Sequence, residues 1–228
     1  MKNKITDQLI IEQVNKHKKA LFFLFFDTAK DLKIEELVVD SAEENKVRDI
    51  VVFENGHKVI YENAPADLEQ GMKKYLSWLN QNVMKEKKMY CRSILEYPEC
   101  SFFEYIPYQK CETIQQKKDY YYRSGCLIAL IFTLGGDNLL MSDVVEMGEY
   151  PVVKDMTVLL KNEVKFNDDL VEYHALTERK KWKCEQNHDR ELERGYNAVY
   201  HFVQENKEDV TVAIQICFQK YNERRKTC

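Results

Sequence analysis

Apolar residues recur at helical spacing from the start of the chain. Thr6 and Asp7 form an N-cap signal before Leu9, Ile10 and Val14, then Leu21, Leu24 and Phe25, which predicts an N-terminal helix. The run Leu21–Phe26 (LFFLFF) is far too short to span a bilayer and is expected to be buried. Leu37–Val39 is a short strand candidate. Asp49–Phe53 (DIVVF) and Lys58–Tyr61 (KVIY) then flank Glu54-Asn55-Gly56-His57, and Asn-Gly between alternating apolar runs is a strong hairpin signal. Pro65 and Asp67 open a helix to about Val83, with Leu68, Met72, Tyr75, Leu76 and Leu79 on one face. Strands are predicted over Met89–Leu95 and over Ser101–Ile106, the latter ended by Pro107.

Beyond Thr113 the pattern lengthens. A helix is predicted to about Leu134, passing through the apolar run Cys126–Phe132, followed by brief strands at Pro151–Val153 and Val158–Leu160. Helices are expected again over Asp189–Glu205 and Lys207–Tyr221. The order is a helical segment at 1–34, a β-rich part at 35–112 and a helical part at 113–228, forming one compact unit. Segregated strands and helices make this α+β. A β-rich first lobe, a mostly helical second lobe and a loop-rich cleft are the plan of kinase-like phosphotransferases.

Composition narrows the function classes. Hydrophobic residues at 44% suffice for a packed core, and Lys+Arg 34 against Asp+Glu 38 describe an ordinary surface. Without Lys/Arg stripes, neither nucleic acid nor an anionic membrane is an expected partner. Seven scattered cysteines without CxxC pairs suit reduced thiols, and MKNKITDQLIIEQVNK lacks a signal-peptide layout, so a cytoplasmic location is expected. Cys184 and His188 are near enough to hint at zinc but lack a second pair, and read as surface residues.

The candidate chemistry lies in Gly135–Asp155, GGDNLLMSDVVEMGEYPVVKD. Kinase-type phosphotransfer needs a lysine on a first-lobe strand, a basic aspartate, an asparagine five residues on, and a metal-binding aspartate after a further strand. Asn138 and Asp143 stand five apart, and Asp155 follows a strand. The identities differ. Asn138, a neutral amide, occupies the proton-accepting position. Asp143, at the asparagine position, retains an oxygen donor for Mg²⁺. Glu62 ends the strand that should carry the lysine, and its charge would repel phosphate. Lys58 shares its face by strand alternation and is the one candidate substitute. Taken singly, Asp155 is as well explained as a turn or cap residue.

Leu134–Asp155, ending in GEYPVVKD, resembles the core motif of the dehydratase domain of class II (LanM-type) lanthipeptide synthetases. Phe53–Tyr61, Tyr75–Asn80, Phe103–Ile106, the YYRSG stretch Tyr120–Gly125, and Gly195-Tyr196 through Glu208 also have counterparts, so the resemblance spans roughly residues 35–221. It implies a lipid-kinase-like core that phosphorylates Ser/Thr of a precursor peptide with Mg-ATP and then eliminates phosphate. It also marks departures. Glu62 stands at the ATP-binding lysine, Asn138 at the catalytic aspartate and Leu140 at the accompanying histidine. Ser142 and Asp143 replace Glu-Asn, and Thr157 replaces a glutamate. Asp40-Ser41-Ala42 matches a D-S-H motif whose histidine has become Ala42. The family's eliminating Arg and Thr and its zinc cyclase domain have no counterpart here, so the dehydratase match is expected to be truncated.

Losing the phosphate-gripping lysine, the base and the histidine together removes positioning, electrostatic and proton-transfer contributions. One reading is a catalytically defective, pseudokinase-like module binding a precursor peptide, a full-length synthetase or a second copy of itself, with no confident cofactor. The other is a divergent Mg-ATP-dependent peptide kinase or dehydratase, with Asp137 as substitute base and Asp143 and Asp155 as metal ligands.

Overall fold

The computed structural model describes residues 4–26, 32–43, 46–136, 139, 141–160, 162–174 and 188–227. Its architecture is mixed α+β, with an antiparallel sheet in one unit and packed helices in the other. The first unit comprises Met1–Ala66 and Arg92–Tyr105, the second Asp67–Cys91 and Ile106–Cys228.

In the first unit, helix α1 (Lys4–Leu21) buries Ile10, Val14 and Leu21. They form a core with Phe22, Val51, Phe53, Val59, Tyr61, Cys100 and Phe102. The sheet contains β1 (Ile34–Glu43), β2 (Lys46–Phe53), β3 (Lys58–Glu62), β4 (Ile94–Glu96) and β5 (Ser101–Glu104), in the order β1-β2-β3-β5-β4. The Asn-Gly turn forms as expected: Gly56 adopts φ 78°, and Asn55 Oδ1 accepts from the His57 N–H at 3.1 Å. β3 is central, and alternation sends Val59 and Tyr61 to the α1 core but Ile60 to a small cluster with Ala66, Ile94 and Phe103.

The second unit holds α2 (Asp67–Asn82), α3 (Ile114–Thr133), α4 (Asp189–Glu205), α5 (Lys207–Thr227) and a hairpin of β6 (Val144–Met147) with β7 (Tyr150–Val153). Thr113 starts α3 with a capping box: its hydroxyl accepts from the Gln116 N–H at 3.1 Å, and Gln116 Oε1 accepts from the Thr113 N–H at 3.2 Å. α3 and α4 meet backbone to backbone. A Cβ on Gly195 would lie 1.8 Å from the Tyr122 carbonyl oxygen, and one on Gly125 would lie 1.9 Å from that of Leu192. α2 is tied to α5 by the buried Asp67, which meets Lys220 at 2.7 Å and Arg224 at 2.9 Å.

Three expectations change. Of Met89–Leu95 only Ile94 and Leu95 are strand, in β4, because side chains capture the backbone before it. The Asn80 amide bonds both N–H and C=O of Met89, at 2.7 and 2.8 Å, and Arg123 Nε takes the Lys88 carbonyl at 2.9 Å. Val158–Leu160 is not a strand. Met156–Val158 is a helical turn, whose Met156 carbonyl accepts from Leu159 and Leu160 at 3.1 and 2.9 Å. LFFLFF is only partly buried: Phe22 is enclosed within a wide helical turn, while Phe23 is 82% exposed. Among the described residues, no helix is long and apolar enough to cross a membrane.

Candidate functional site

The stretch singled out in the sequence begins where α3 ends. Gly135 adopts φ 81° and donates to the Phe132 carbonyl at 3.0 Å, closing the helix. A short turn, Met141–Asp143, leads into β6, and Gly148 (φ 55°) lets the chain reverse into β7. Val144 pairs with Val153, so Asp143 and Lys154 meet at the hairpin's open end. The Lys154 N–H donates to the Asp143 carbonyl at 2.8 Å, and its ammonium reaches the Ser142 carbonyl, also at 2.8 Å. Asp155 follows directly, so both carboxylates proposed as metal ligands belong to this one end.

Their oxygens have the chemistry Mg²⁺ prefers. However, Asp155 Oδ1 already accepts from the Thr157 N–H at 2.9 Å and the Thr157 hydroxyl at 2.6 Å, capping the following turn. Among the described residues, no three His, Cys, Asp or Glu side chains gather as a metal site. Asp137, Asn138 and Leu140 lie outside the described residues, as do Cys184 and the side chains of Asp40 and Ala42. His188 precedes α4 and stacks on Tyr121, with ring centroids 4.5 Å apart.

Strand β3 ends in the carboxylate of Glu62, at the position where a phosphate-binding lysine is expected from the sequence. Glu62 lies directly opposite Arg48 on β2. Arg48 Nη1 and Glu62 Oε2 are 3.8 Å apart, with both side chains only 3% exposed. The Arg48 guanidinium also lies over Phe103 at 5.6 Å, and Arg92 contacts the same ring at 5.3 Å. Lys58 is exposed at the strand's other end, its ammonium 5.2 Å from the centre of the Tyr105 ring. Four residues of strand put it roughly 13 Å from Glu62.

A second Arg–Glu pair, with a buried arginine, joins two stretches on which the family resemblance rests. Arg123, from YYRSG on α3, meets the Glu149 carboxylate at 3.0 Å and the Glu149 carbonyl at 3.1 Å, and lies over Tyr150 at 4.4 Å. It therefore clamps GEYP to the helix. Beside it the Cys111 thiol donates to the Gly148 carbonyl at 3.1 Å, and burial and then Glu146 push that thiol up to about 11.

Sequence reasoning missed the partners Arg48 and Glu149. Arg48 was recoverable, because pairing Phe53 with His57 around the Asn-Gly turn sets Arg48 opposite Glu62. For the Arg123–Glu149 clamp no spacing signal existed, since 26 residues separate the partners.

No curated protein matches the sequence. Among solved structures, a protein described as a "putative fructosamine-3-kinase" from Thermobifida fusca YX-ER1 aligns over 82% of this chain and 85% of its own, at 10% identity and a TM-score of 0.37. The family described as a domain of unknown function, DUF4135, matches residues 6–181, and the chain belongs to that family.

Proposed function

We propose that this chain is a catalytically defective, pseudokinase-like relative of LanM dehydratase domains that works in the cytoplasm as a binding module in lanthipeptide biosynthesis. Its ligand is a precursor peptide or a partner synthetase. Membership in DUF4135, a family associated with lanthipeptide synthetase-like proteins, supports this reading. So does the strand order β1-β2-β3-β5-β4 with a helix between β3 and β4, which suits a kinase-like plan. The observation that carries the loss of chemistry is Glu62, buried against Arg48 on the central strand. A carboxylate there opposes ATP phosphates, and the nearest lysine on that strand is four residues away. A peptide-binding surface can persist without this chemistry, because strand edges and grooves supply the contacts.

The test is thermal melting with and without millimolar Mg²⁺-ATP, since a ligand bound only to the folded state raises the midpoint. No shift is expected. A rise of several degrees that vanishes in Asp155→Ala would overturn the defective reading. A pull-down with the precursor peptide and the synthetase is expected to retain one of them, and retention of neither would reject the binding role.

A second reading, a divergent Mg-ATP-dependent peptide kinase or dehydratase, is favoured by one observation. The β6–β7 register brings Asp143 and Asp155 to the same end of the hairpin. The ATP-dependent shift separates the two readings.

A further inference from the structure

Helix α1 meets the rest of its unit through an apolar stripe and, near its end, a polar contact region. The stripe, Ile10, Val14 and Leu21, enters the sheet core. The polar region lies against the turn between β4 and β5. Lys16 Nζ meets Glu99 Oε1 at 2.6 Å, and Gln13 Oε1 accepts from the Cys100 thiol at 3.7 Å. Between them the His17 imidazole stacks on Tyr97, with centroids 3.4 Å apart and planes 21° apart, and its edge approaches Phe102 at 6.2 Å. His17 Nε2 is buried without a hydrogen-bond partner.

We infer that His17 is a protonation-sensitive latch, which holds α1 on the β4–β5 turn when neutral and loosens it when charged. In the neutral ring Nε2 can be the unprotonated nitrogen, so the latched state need not bury an orphan N–H. Protonation places an N–H there with no acceptor, an arrangement that penalises a buried donor. It also sets a second cation beside Lys16. The groups facing His17 are Lys16 and Gln13 on α1 and Tyr97, Glu99 and Cys100 on the turn. Glu99 is the carboxylate among them, and it is already engaged by Lys16. The Tyr97 ring would attract a charged imidazole, which offsets part of this penalty. The net balance still favours the neutral ring: burial first, and then Lys16, lower the pKa of His17, against Glu99.

A lowered pKa fixes the sign. Above the ordinary imidazole value of 6.5 both folded and unfolded states are neutral and the latch is at full strength. As pH falls below that value the unfolded helix takes up the proton first, and docking weakens. Release of α1 would uncover Val51, Phe53, Val59 and Phe102, all buried in the same cluster.

The test uses the full chain. Histidine ring resonances are followed by NMR from pH 8 to 5, and amide protection factors are measured at pH 7.5 and 5.5. His17 is expected to titrate below the ordinary value. Protection across Val14–Leu21 is expected to fall at the lower pH while α3 keeps its own, each unit of pKa depression corresponding to a tenfold change at most. In His17→Phe, which keeps a stacked ring but cannot titrate, the selective fall should disappear. Titration of His17 at or above the ordinary value, or an undiminished fall in His17→Phe, would overturn the latch. The wild-type titration decides the matter alone if that variant does not fold.

Discussion

Two arginine–glutamate pairs, one in each unit, show how differently the same chemistry can serve a protein. Arg123 in the helical unit bonds the Glu149 carboxylate at 3.0 Å, two backbone carbonyls, and the face of Tyr150. Glu149 remains 28% exposed, so water still shares its charge. Arg48 in the sheet unit faces Glu62 at 3.8 Å, and both side chains are 3% exposed. The first pair is a clamp between a helix and a hairpin, made of good hydrogen bonds. The second is a looser, fully enclosed pair. The clamp makes YYRSG and GEYP structural partners. The enclosed pair holds the position that the proposed function reads as the lost lysine.

The sharpest way to break this contrast is Arg48→Met. It removes the cation facing a buried carboxylate, and about 3–5 kcal/mol of stability should be lost, measured by urea unfolding. The double variant Arg48→Met with Glu62→Leu should recover most of that loss, because replacing both charges by apolar groups removes the burial penalty. If the double variant is as unstable as the single, the pair is not the electrostatic unit described here.

Next in size is the helix–helix contact beside the clamp. Gly195→Ala puts a methyl group into the Tyr122 backbone at 1.8 Å, where no flexible side chain can move aside. A loss of about 3 kcal/mol is expected from such overpacking, again by urea unfolding. A near-neutral result would mean that α3 and α4 separate readily, and that Gly195 is not constrained by packing.

The smallest effect concerns reactivity. Cys111 is half-buried, yet its thiol is pushed up to about 11 by burial and by Glu146. It should therefore label slowly with a thiol-disulfide reagent at pH 7.5, where little thiolate exists. Glu146→Gln should speed labelling at this position by lowering that pKa, with the labelled site identified by mass spectrometry. Rapid labelling of the unaltered protein would contradict the enclosed environment beside the clamp.

Much of the secondary structure was legible because its causes are local. Asn55-Gly56, Thr113 with Gln116, and the Leu68–Leu79 stripe each carry their own signal within one or two turns of chain. Residues 89–93 misled because β-like composition cannot reveal that Asn80 and Arg123 take up neighbouring backbone groups. Val158–Leu160 misled because the Met156 carbonyl takes up the Leu159 and Leu160 N–H groups in a single turn that Asp155 caps. At the candidate site, the sequence showed which residue types had changed. It could not show how deeply the Arg48–Glu62 pair is enclosed, or that Thr157 supplies both donors to Asp155.

By itself, then, the sequence determined the α+β class, the main helices, the Asn-Gly hairpin and the mismatch between a phosphotransferase spacing and its residue identities. These depend on periodicity, turn chemistry and charge, which are properties of short segments. Only the tertiary structure decided that α2 packs with α5 through Asp67, that Gly125 and Gly195 bring two helices into contact, and that Arg123 finds Glu149. Those are pairings across long stretches of chain. Their strength comes from burial and geometry that no segment carries alone.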